Sequence, residues 1–261
     1  MLKNKKLFLL DMDGTIYLGD RLFDSTMEFL SAIREKGGRY LFLTNNSSKS
    51  TDAYVRKLAS LGISATPSDF LTSTHATCLY INERYPGKKF YAFGTESFID
   101  HLIGAGIPVT TELDDDVFGI VMGNDTELSF KKLDDTCRLL TERDPVYIAT
   151  NPDWVCPTVY GYVPDCGSVA EMIWRATGKR PVFIGKPKPE MIYLALANYG
   201  YSAEETLMIG DRVYTDIASG YNAGVDTALV LSGESTMDDV EKSDVKPTYI
   251  FNSINDIIPL I

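Results

Sequence analysis

Short, near-continuous apolar runs alternate along this chain with longer stretches in which apolar residues recur every three or four positions. Leu7–Leu10 and residues 40–43, 182–184, 207–209 and 227–231 are runs of the first kind and predict buried strands. Residues 25–36 carry Met27, Phe29, Leu30 and Ile33 at helical spacing, and Gly37-Gly38 stops that helix. A second helix runs through Tyr54, Val55, Leu58 and Leu61 and ends at Gly62. Residues 189–199 and 215–222 predict two more. This β-α-β-α alternation predicts an α/β fold with a doubly wound, Rossmann-like parallel sheet.

The stretch between about 77 and 181 has its own alternation. Residues 90–93, 117–122 and 146–150 read as strands; 130–141 and 168–176 read as helices, and 102–103 as a helix end. The acidic run from Glu112 to Asp116 reads as a surface turn. Interval lengths decide the organisation. Asp11 to Thr44 leaves room for one helix and its loops, as does Lys186 to Asp211. Thr44 to Lys186 is far too long for a single crossover. The expected division is a core of residues 1–77 and 182–261 with a second compact unit, 78–181, inserted as a lid over the strand ends. Lids exclude water and select substrates.

Four of the predicted strands end in residues suited to phosphate or metal chemistry, and open α/β sheets bind ligands just beyond the carboxyl ends of their strands. Leu7–Leu10 leads into Asp11-Met12-Asp13-Gly14-Thr15, run 40–43 into Thr44, run 182–184 into Gly185-Lys186, and run 207–209 into Gly210-Asp211. Of the paired carboxylates, one can attack phosphorus and the other can protonate the departing alcohol and later activate water. An EF-hand reading fails, because Leu22 stands where the twelfth loop position needs Glu. A phosphate dianion beside Asp11, Asp13 and Asp211 requires cations, since each like-charge pair at about 4 Å costs roughly 4 kcal/mol at an effective dielectric near 20. Lys186 supplies one, and Mg²⁺, which suits carboxylate and phosphate oxygens, supplies the other. Asn45, Asn46 and Ser47 are placed at a helix start, where free N–H groups favour an anion. Taken singly, Thr44 to Ser47 also reads as a helix cap, Lys186 as a solvated surface lysine and Asp216 as a cap of the next helix.

Bulk properties narrow the class. The chain has 261 residues, is 44% hydrophobic and carries a formal net charge of −11, which argues against nucleic acid as a partner. The basic cluster Lys3, Lys5 and Lys6 precedes only four apolar residues, too few for a signal-peptide core, and no run is long enough to span a membrane. The four cysteines form no C-x-x-C pair and read as reduced thiols. With two histidines and no G-x-S-x-G, a Ser-His-Asp hydrolase is a poor candidate. The expectation is a cytoplasmic enzyme with no nucleic-acid or membrane partner.

The set Asp11-Met12-Asp13-Gly14-Thr15, Thr44-Asn45, Lys186 and Gly210-Asp211 with Asp216 resembles the four motifs of the haloacid dehalogenase superfamily of phosphatases. The long insert resembles that superfamily's type-2 cap. Within it, Ala149-Thr150-Asn151-Pro152-Asp153 and Pro164-Asp165-Cys166-Gly167-Ser168 are similar to the NagD-like branch of sugar-phosphate, nucleotide, phosphoglycolate and 4-nitrophenyl phosphatases. The resemblance implies an aspartyl-phosphate on Asp11, with Asp13 as acid and base. It implies Mg²⁺ held by Asp11, the Asp13 backbone oxygen and Asp211. Thr44, Asn45, Asn46 and Lys186 would bind the phosphoryl group, Asp216 would orient Lys186 or metal-bound water, and Asn151 and Asp153 would serve substrate from the cap. The implied substrate is a small-molecule phosphate ester, and the implied assembly a homodimer through the cap. Arg212 stands where several members have Asn, and Trp154 reads as a core or hinge aromatic. A phosphomutase or phosphoryl transferase, and a catalytically silent phosphate-binding regulator, remain as alternatives at this stage.

Overall fold

The computed structural model describes residues 2–158 and 160–261. The chain divides into two compact units. The first comprises residues up to Thr44, Tyr54–Leu71 and Lys186–Ile261; the second comprises Asn45–Ala53 and Thr72–Gly185. The inserted stretch thus begins at Thr72 and ends at Gly185, and a short earlier segment, Asn45–Ala53, joins it.

The first unit is built on a six-stranded sheet. Its strand order is Tyr249–Phe251, Asp226–Val230, Thr206–Gly210, Leu7–Leu10, Arg39–Thr44 and Phe70–Thr72. Leu7–Leu10 is central and runs parallel to both neighbours, with Leu10 opposite Phe42 on one side and Ile209 on the other. Alternate residues of these strands, Phe8, Leu10, Tyr40, Phe42, Leu207, Ile209, Ala228 and Val230, share one core with Phe29, Leu30 and Ile33 of helix Thr26–Glu35 and with Tyr54 and Leu58 of helix Thr51–Ser60. The intervening residues Leu7, Leu9, Leu41, Leu43 and Met208 are equally buried. Both faces are therefore covered, which is why these strands read as unbroken apolar runs. Chain order places the second strand on one side of Leu7–Leu10 and Thr206–Gly210 on the other. The carboxyl end of the first strand is thus a topological switch point, where a crevice forms.

The second unit holds a five-stranded sheet in the order Val182–Phe183, Val146–Ala149, Gly119–Met122, Phe90–Phe93 and Val109–Thr110, all parallel. Tyr91, Phe93, Ile120, Met122, Tyr147 and Ala149 pack there with Leu139 and Leu140 of helix Phe130–Glu142 and with Ile173 of helix Cys166–Thr177.

One strand differs from expectation. The run 182–184 reads as a strand of the core, but Val182 and Phe183 pair with Ile148 and Ala149 in the second unit. A short apolar run satisfies any parallel edge equally well, so its sequence carries no signal for which sheet receives it. Lys186 follows two residues of continued pairing, Ile184 N–H to Ala149 O and Gly185 N–H to Thr150 O, and its bond to Pro187 is cis. The antiparallel hairpin of Val155–Thr158 and Gly161–Pro164 was also not anticipated. Pro157 and Pro164 are accommodated because a two-stranded ribbon has exposed edges that tolerate proline. Trp154, expected as a core or hinge aromatic, is 53% exposed at the foot of this hairpin. The acidic turn is as anticipated: Lys89 pairs with Asp114 and Asp116, and Arg143 with Asp115. None of the four cysteines is in a disulfide. Among the described residues no helix is long and apolar enough to cross a membrane.

Candidate active site

Three strand ends and one loop bring the charged residues of the first unit together. Asp11 follows Leu7–Leu10 and donates its N–H to Ile209 O, continuing the ladder by one residue. Asp211 follows Thr206–Gly210, and Asp216 lies in the wide π-type turn Val213–Ile217 that precedes helix Ala218–Ala223. The Lys186 ammonium, 2% exposed, donates to Asp11 Oδ1 at 2.6 Å, to Asp216 Oδ1 at 2.7 Å and to the Leu43 carbonyl at 3.2 Å. Lys186 is a buried hub, and the reading of a solvated surface lysine is excluded. The Leu43 contact sets it one residue from Thr44, which is itself buried.

Asp216 does not cap a helix from outside. Its Oδ2 accepts the Arg212 N–H at 3.1 Å inside its own turn, and its Oδ1 holds Lys186. Gly210 has no room for a side chain because a Cβ there would sit 2.3 Å from the Asp216 Cβ. The predicted helix 215–222 is accordingly this wide turn followed by six helical residues, with Asp216 turned inward.

Asp211 is held on one side only. Its Oδ2 accepts the Glu234 N–H at 2.7 Å, and its carbonyl accepts the Ser235 N–H at 3.1 Å. Ser235 Oγ accepts the Val213 N–H, and Glu234 is bracketed by Arg212 Nε at 2.8 Å and Tyr214 OH at 2.9 Å. Asp211 Oδ1 is buried with no hydrogen-bond partner. A buried, unpartnered carboxylate oxygen is costly unless something positive meets it. Oxygens of Asp11, Asp211 and Asp216 all lie within 4.8 Å of one another, a spacing that a metal ion could bridge.

The electrostatics follow from that crowding. Burial first, then the charges of Asp216 and Asp211, push the Asp11 carboxyl well above its ordinary range, against the pull of Lys186. Burial and then Asp216 push Asp211 up to about 7, while the Glu234 N–H and Arg212 pull it down. Burial lowers the Lys186 ammonium, but Asp11 and Asp216 more than reverse this and hold it above its usual value. One ammonium thus faces three carboxylates, and the cluster is short of positive charge.

Asp13 stands two residues beyond Asp11. Gly14, at φ +87°, turns the backbone between them and Tyr17, donating its N–H to the Tyr17 carbonyl at 2.9 Å. A Cβ at Gly14 would fall 2.4 Å from Asp211 Oδ2, so glycine is required there on both conformational and steric grounds. The Asp13 carboxylate accepts the Tyr17 hydroxyl at 3.2 Å and lies 3.7 Å from the Lys57 ammonium.

The remaining predicted residues belong to the second unit. Asn45 and Asn46 do not open a helix: residues 45–50 are a loop, and the helix begins at Thr51. Asn46 Oδ1 accepts both the N–H and the hydroxyl of Ser48, closing a side-chain turn that substitutes for helical bonds. Asn45 is buried and its carbonyl accepts the Ser73 hydroxyl at 2.6 Å. Asn151 and Asp153 are buried together. The Asn151 amide donates to Asp153 Oδ2 and to Asp165 Oδ1, both at 3.1 Å, and its Oδ1 accepts the Thr150 hydroxyl.

Several participants had been passed over. Tyr17 lies two residues beyond the Asp11-Met12-Asp13-Gly14-Thr15 motif, in a two-residue strand. Lys57 sits among the polar positions of an amphipathic helix and carries no sequence signal. The Ser232-Gly233-Glu234-Ser235 loop was findable, since it follows a correctly predicted apolar strand, as the other site loops do.

Comparison with known proteins decides the family. A model described as haloacid dehalogenase-like hydrolase matches residues 8–108, and one described as HAD-hydrolase-like matches residues 183–257. An acid sugar phosphatase of Staphylococcus aureus is 36% identical over 257 residues, 98% of each chain. The chain belongs to the haloacid dehalogenase-like hydrolases. Within these hydrolases it is a NagD-like phosphatase, a phosphoric monoester hydrolase. The crystal structure of a 4-nitrophenylphosphatase from Thermotoga maritima superposes with a TM-score of 0.92 at 36% identity, covering 99% of this chain and 98% of that one. A glycerol phosphate phosphatase from Mycobacterium tuberculosis, solved in complex with magnesium, gives 0.91 at 28% identity, covering 98% and 77%. This NagD-like hydrolase therefore shares its fold with phosphatases across its whole length.

Proposed function

We propose that this chain hydrolyses small-molecule phosphate monoesters in two steps at Asp11. The observation that carries the reading is the Asp11–Lys186–Asp216 hub at the switch point of the sheet, with the unpartnered Asp211 Oδ1 beside it. In the first step a carboxylate oxygen of Asp11 attacks phosphorus, the bond to the ester oxygen breaks, and Asp13 delivers its proton to the departing alcohol. In the second, Asp13 removes a proton from water, which attacks phosphorus and expels inorganic phosphate, restoring the Asp11 carboxylate. Lys186 neutralises charge on the transferring group, and Asp216 fixes the ammonium in place.

The residues present fit a hard divalent cation such as Mg²⁺. The donors are carboxylate oxygens, one of them buried and unpartnered, and the cluster needs more positive charge than Lys186 provides. Both oxygens of Asp216 are engaged, by Lys186 and by the Arg212 N–H, so Asp11 and Asp211 are the side chains that would hold the ion, with the Asp13 backbone oxygen. When bound, the ion stabilises charge on the phosphoryl oxygens and keeps the carboxylates ionised. Thr44, in the same unit as Asp11 and Lys186, adds a phosphate contact in this reading. The second unit is the cap that selects substrate, Asn151 and Asp153 shaping its polar interior, and pairing through it gives a homodimer. The full-length similarity to an acid sugar phosphatase favours sugar phosphates over nucleotides as substrates.

The test is phosphate release from a panel of sugar phosphates, glycerol phosphate, nucleoside monophosphates, phosphoglycolate and 4-nitrophenyl phosphate with Mg²⁺. Turnover on the panel, lost in Asp11→Asn with the fold retained, is the expected result. No release from any member overturns the proposal.

A further inference from the structure

We infer that Lys57 is a positioning residue for Asp13, acting with Tyr17 to hold the proton-transferring carboxyl in place; this rests on the assignment of Asp13 as acid and base. Three contacts close a triangle. The Tyr17 hydroxyl donates to Asp13 Oδ2 at 3.2 Å, the Lys57 ammonium lies 3.7 Å from Asp13 Oδ1, and the same ammonium lies 3.8 Å from the centre of the Tyr17 ring. The two carboxylate oxygens are thus held separately, one by each neighbour, and the neighbours are bound to each other through a cation–π contact.

The corners differ in rigidity. The Tyr17 side chain is fully buried and packs in the core with Phe29, Phe42 and Tyr54, so its hydroxyl has a fixed location. Lys57 comes from helix Thr51–Ser60, whose Tyr54 and Leu58 are buried in that same core. Its ammonium is therefore delivered from a packed element and steadied over the ring. Asp13, by contrast, follows a sharp turn at the end of a strand, and its side chain is 35% exposed. Without the two neighbours its carboxyl would be free to rotate among staggered rotamers. Proton transfer to a leaving oxygen requires hydrogen-bond reach at the moment the bond breaks, so rotational freedom at Asp13 costs rate at that step. Lys57 acts on the reaction through Asp13.

This assigns a signature that loss of fold alone would not produce. A leaving group that departs readily as an anion needs little help from an acid, and a more basic one needs much. The measurement is kcat/KM, which reports steps up to formation of the aspartyl-phosphate, for 4-nitrophenyl phosphate and phenyl phosphate on the full chain with Mg²⁺. Lys57→Met is expected to lower kcat/KM for phenyl phosphate by about tenfold or more while changing 4-nitrophenyl phosphate far less. Lys57→Arg, which keeps the charge over the ring, should restore most of the loss. Tyr17→Phe, which keeps the buried ring and removes only the hydroxyl, should show the same leaving-group bias. Equal losses on both esters, or none, overturn the role of Lys57. Asp13→Asn separates the two layers of the reading. If it lacks the leaving-group bias, the assignment of Asp13 itself fails; if it shows the bias and Lys57→Met does not, only the positioning role fails.

Discussion

Replacing Lys186 with Met would leave Asp11 and Asp216 buried without their shared cation. The ammonium lies 2.6 and 2.7 Å from their oxygens, and at an effective dielectric near 20 each attraction is worth about 6 kcal/mol before desolvation. Burial of the three groups consumes much of that, and removing one partner of a buried pair typically costs about 3–5 kcal/mol because a charge is stranded. Asp216, 1% exposed, has no route to solvent, so the upper half of that range is expected. Methionine preserves the volume, which keeps the packing contribution small. The assay is urea unfolding in metal-free buffer at neutral pH, followed by far-UV circular dichroism. Amide exchange of Leu7–Leu10 alongside it reports on the first unit. Adding Asp216→Asn to Lys186→Met removes one stranded charge and should recover about 2 kcal/mol. A Lys186→Met variant within about 0.5 kcal/mol of wild type, or a double variant no more stable than the single, would refute the hub.

Two groups make stability respond to acid in opposite directions in the absence of divalent metal. Asp211 is raised to about 7, so its folded form holds a proton that the unfolded chain releases near its ordinary pKa. Its penalty grows as pH climbs from about 4 to 7, and Asp211→Asn should remove that slope. Burial, then the neighbouring His101, lowers His75 to about 4; its contribution, about 3 kcal/mol, is present above pH 6.5 and is lost as pH falls towards 4. His75→Gln should flatten that loss, and thermal melts of the two variants across this window check both signs. Mg²⁺ at 100 times its dissociation constant should raise stability by about 2.7 kcal/mol, and Asp211→Asn should abolish the gain. Gly14→Ala forces a side chain into a left-handed turn and against Asp211 Oδ2, so it should cost about 1–2 kcal/mol and weaken Mg²⁺ binding, both readable by calorimetry.

Much of this arrangement was legible in the residues. Leu7–Leu10 and the runs around 41 and 208 are unbroken because both sheet faces are covered, so position and type were clear together. The polar residues directly after them could be read as facing one crevice for the same reason. Lys186 was legible as a participant, although the strand preceding it pairs in the other sheet; pairing partners depend on three-dimensional neighbours that a two-residue strand does not encode. Asn45 and Asn46 were misread as a helix start because Asn and Ser serve equally as caps and as loop-closing turns. The roles of Tyr17, Lys57 and Glu234 became visible only in three dimensions, although the loop that carries Glu234 follows an apolar strand that the residues predict. Their roles arise from contacts across 4, 44 and 23 positions of chain, to Asp13 for the first two and to Asp211 for the third, at residues whose types are ordinary for their local elements.

The central claim is that phosphorus passes through Asp11. Rapid acid quenching of the Mg²⁺-loaded protein during turnover of 4-nitrophenyl phosphate, followed by peptide mass spectrometry, tests it directly. One phosphoryl group is expected on the peptide containing Asp11, absent in Asp11→Asn. A phosphoryl group on any other residue, or unimpaired phosphate release by Asp11→Asn, would contradict it.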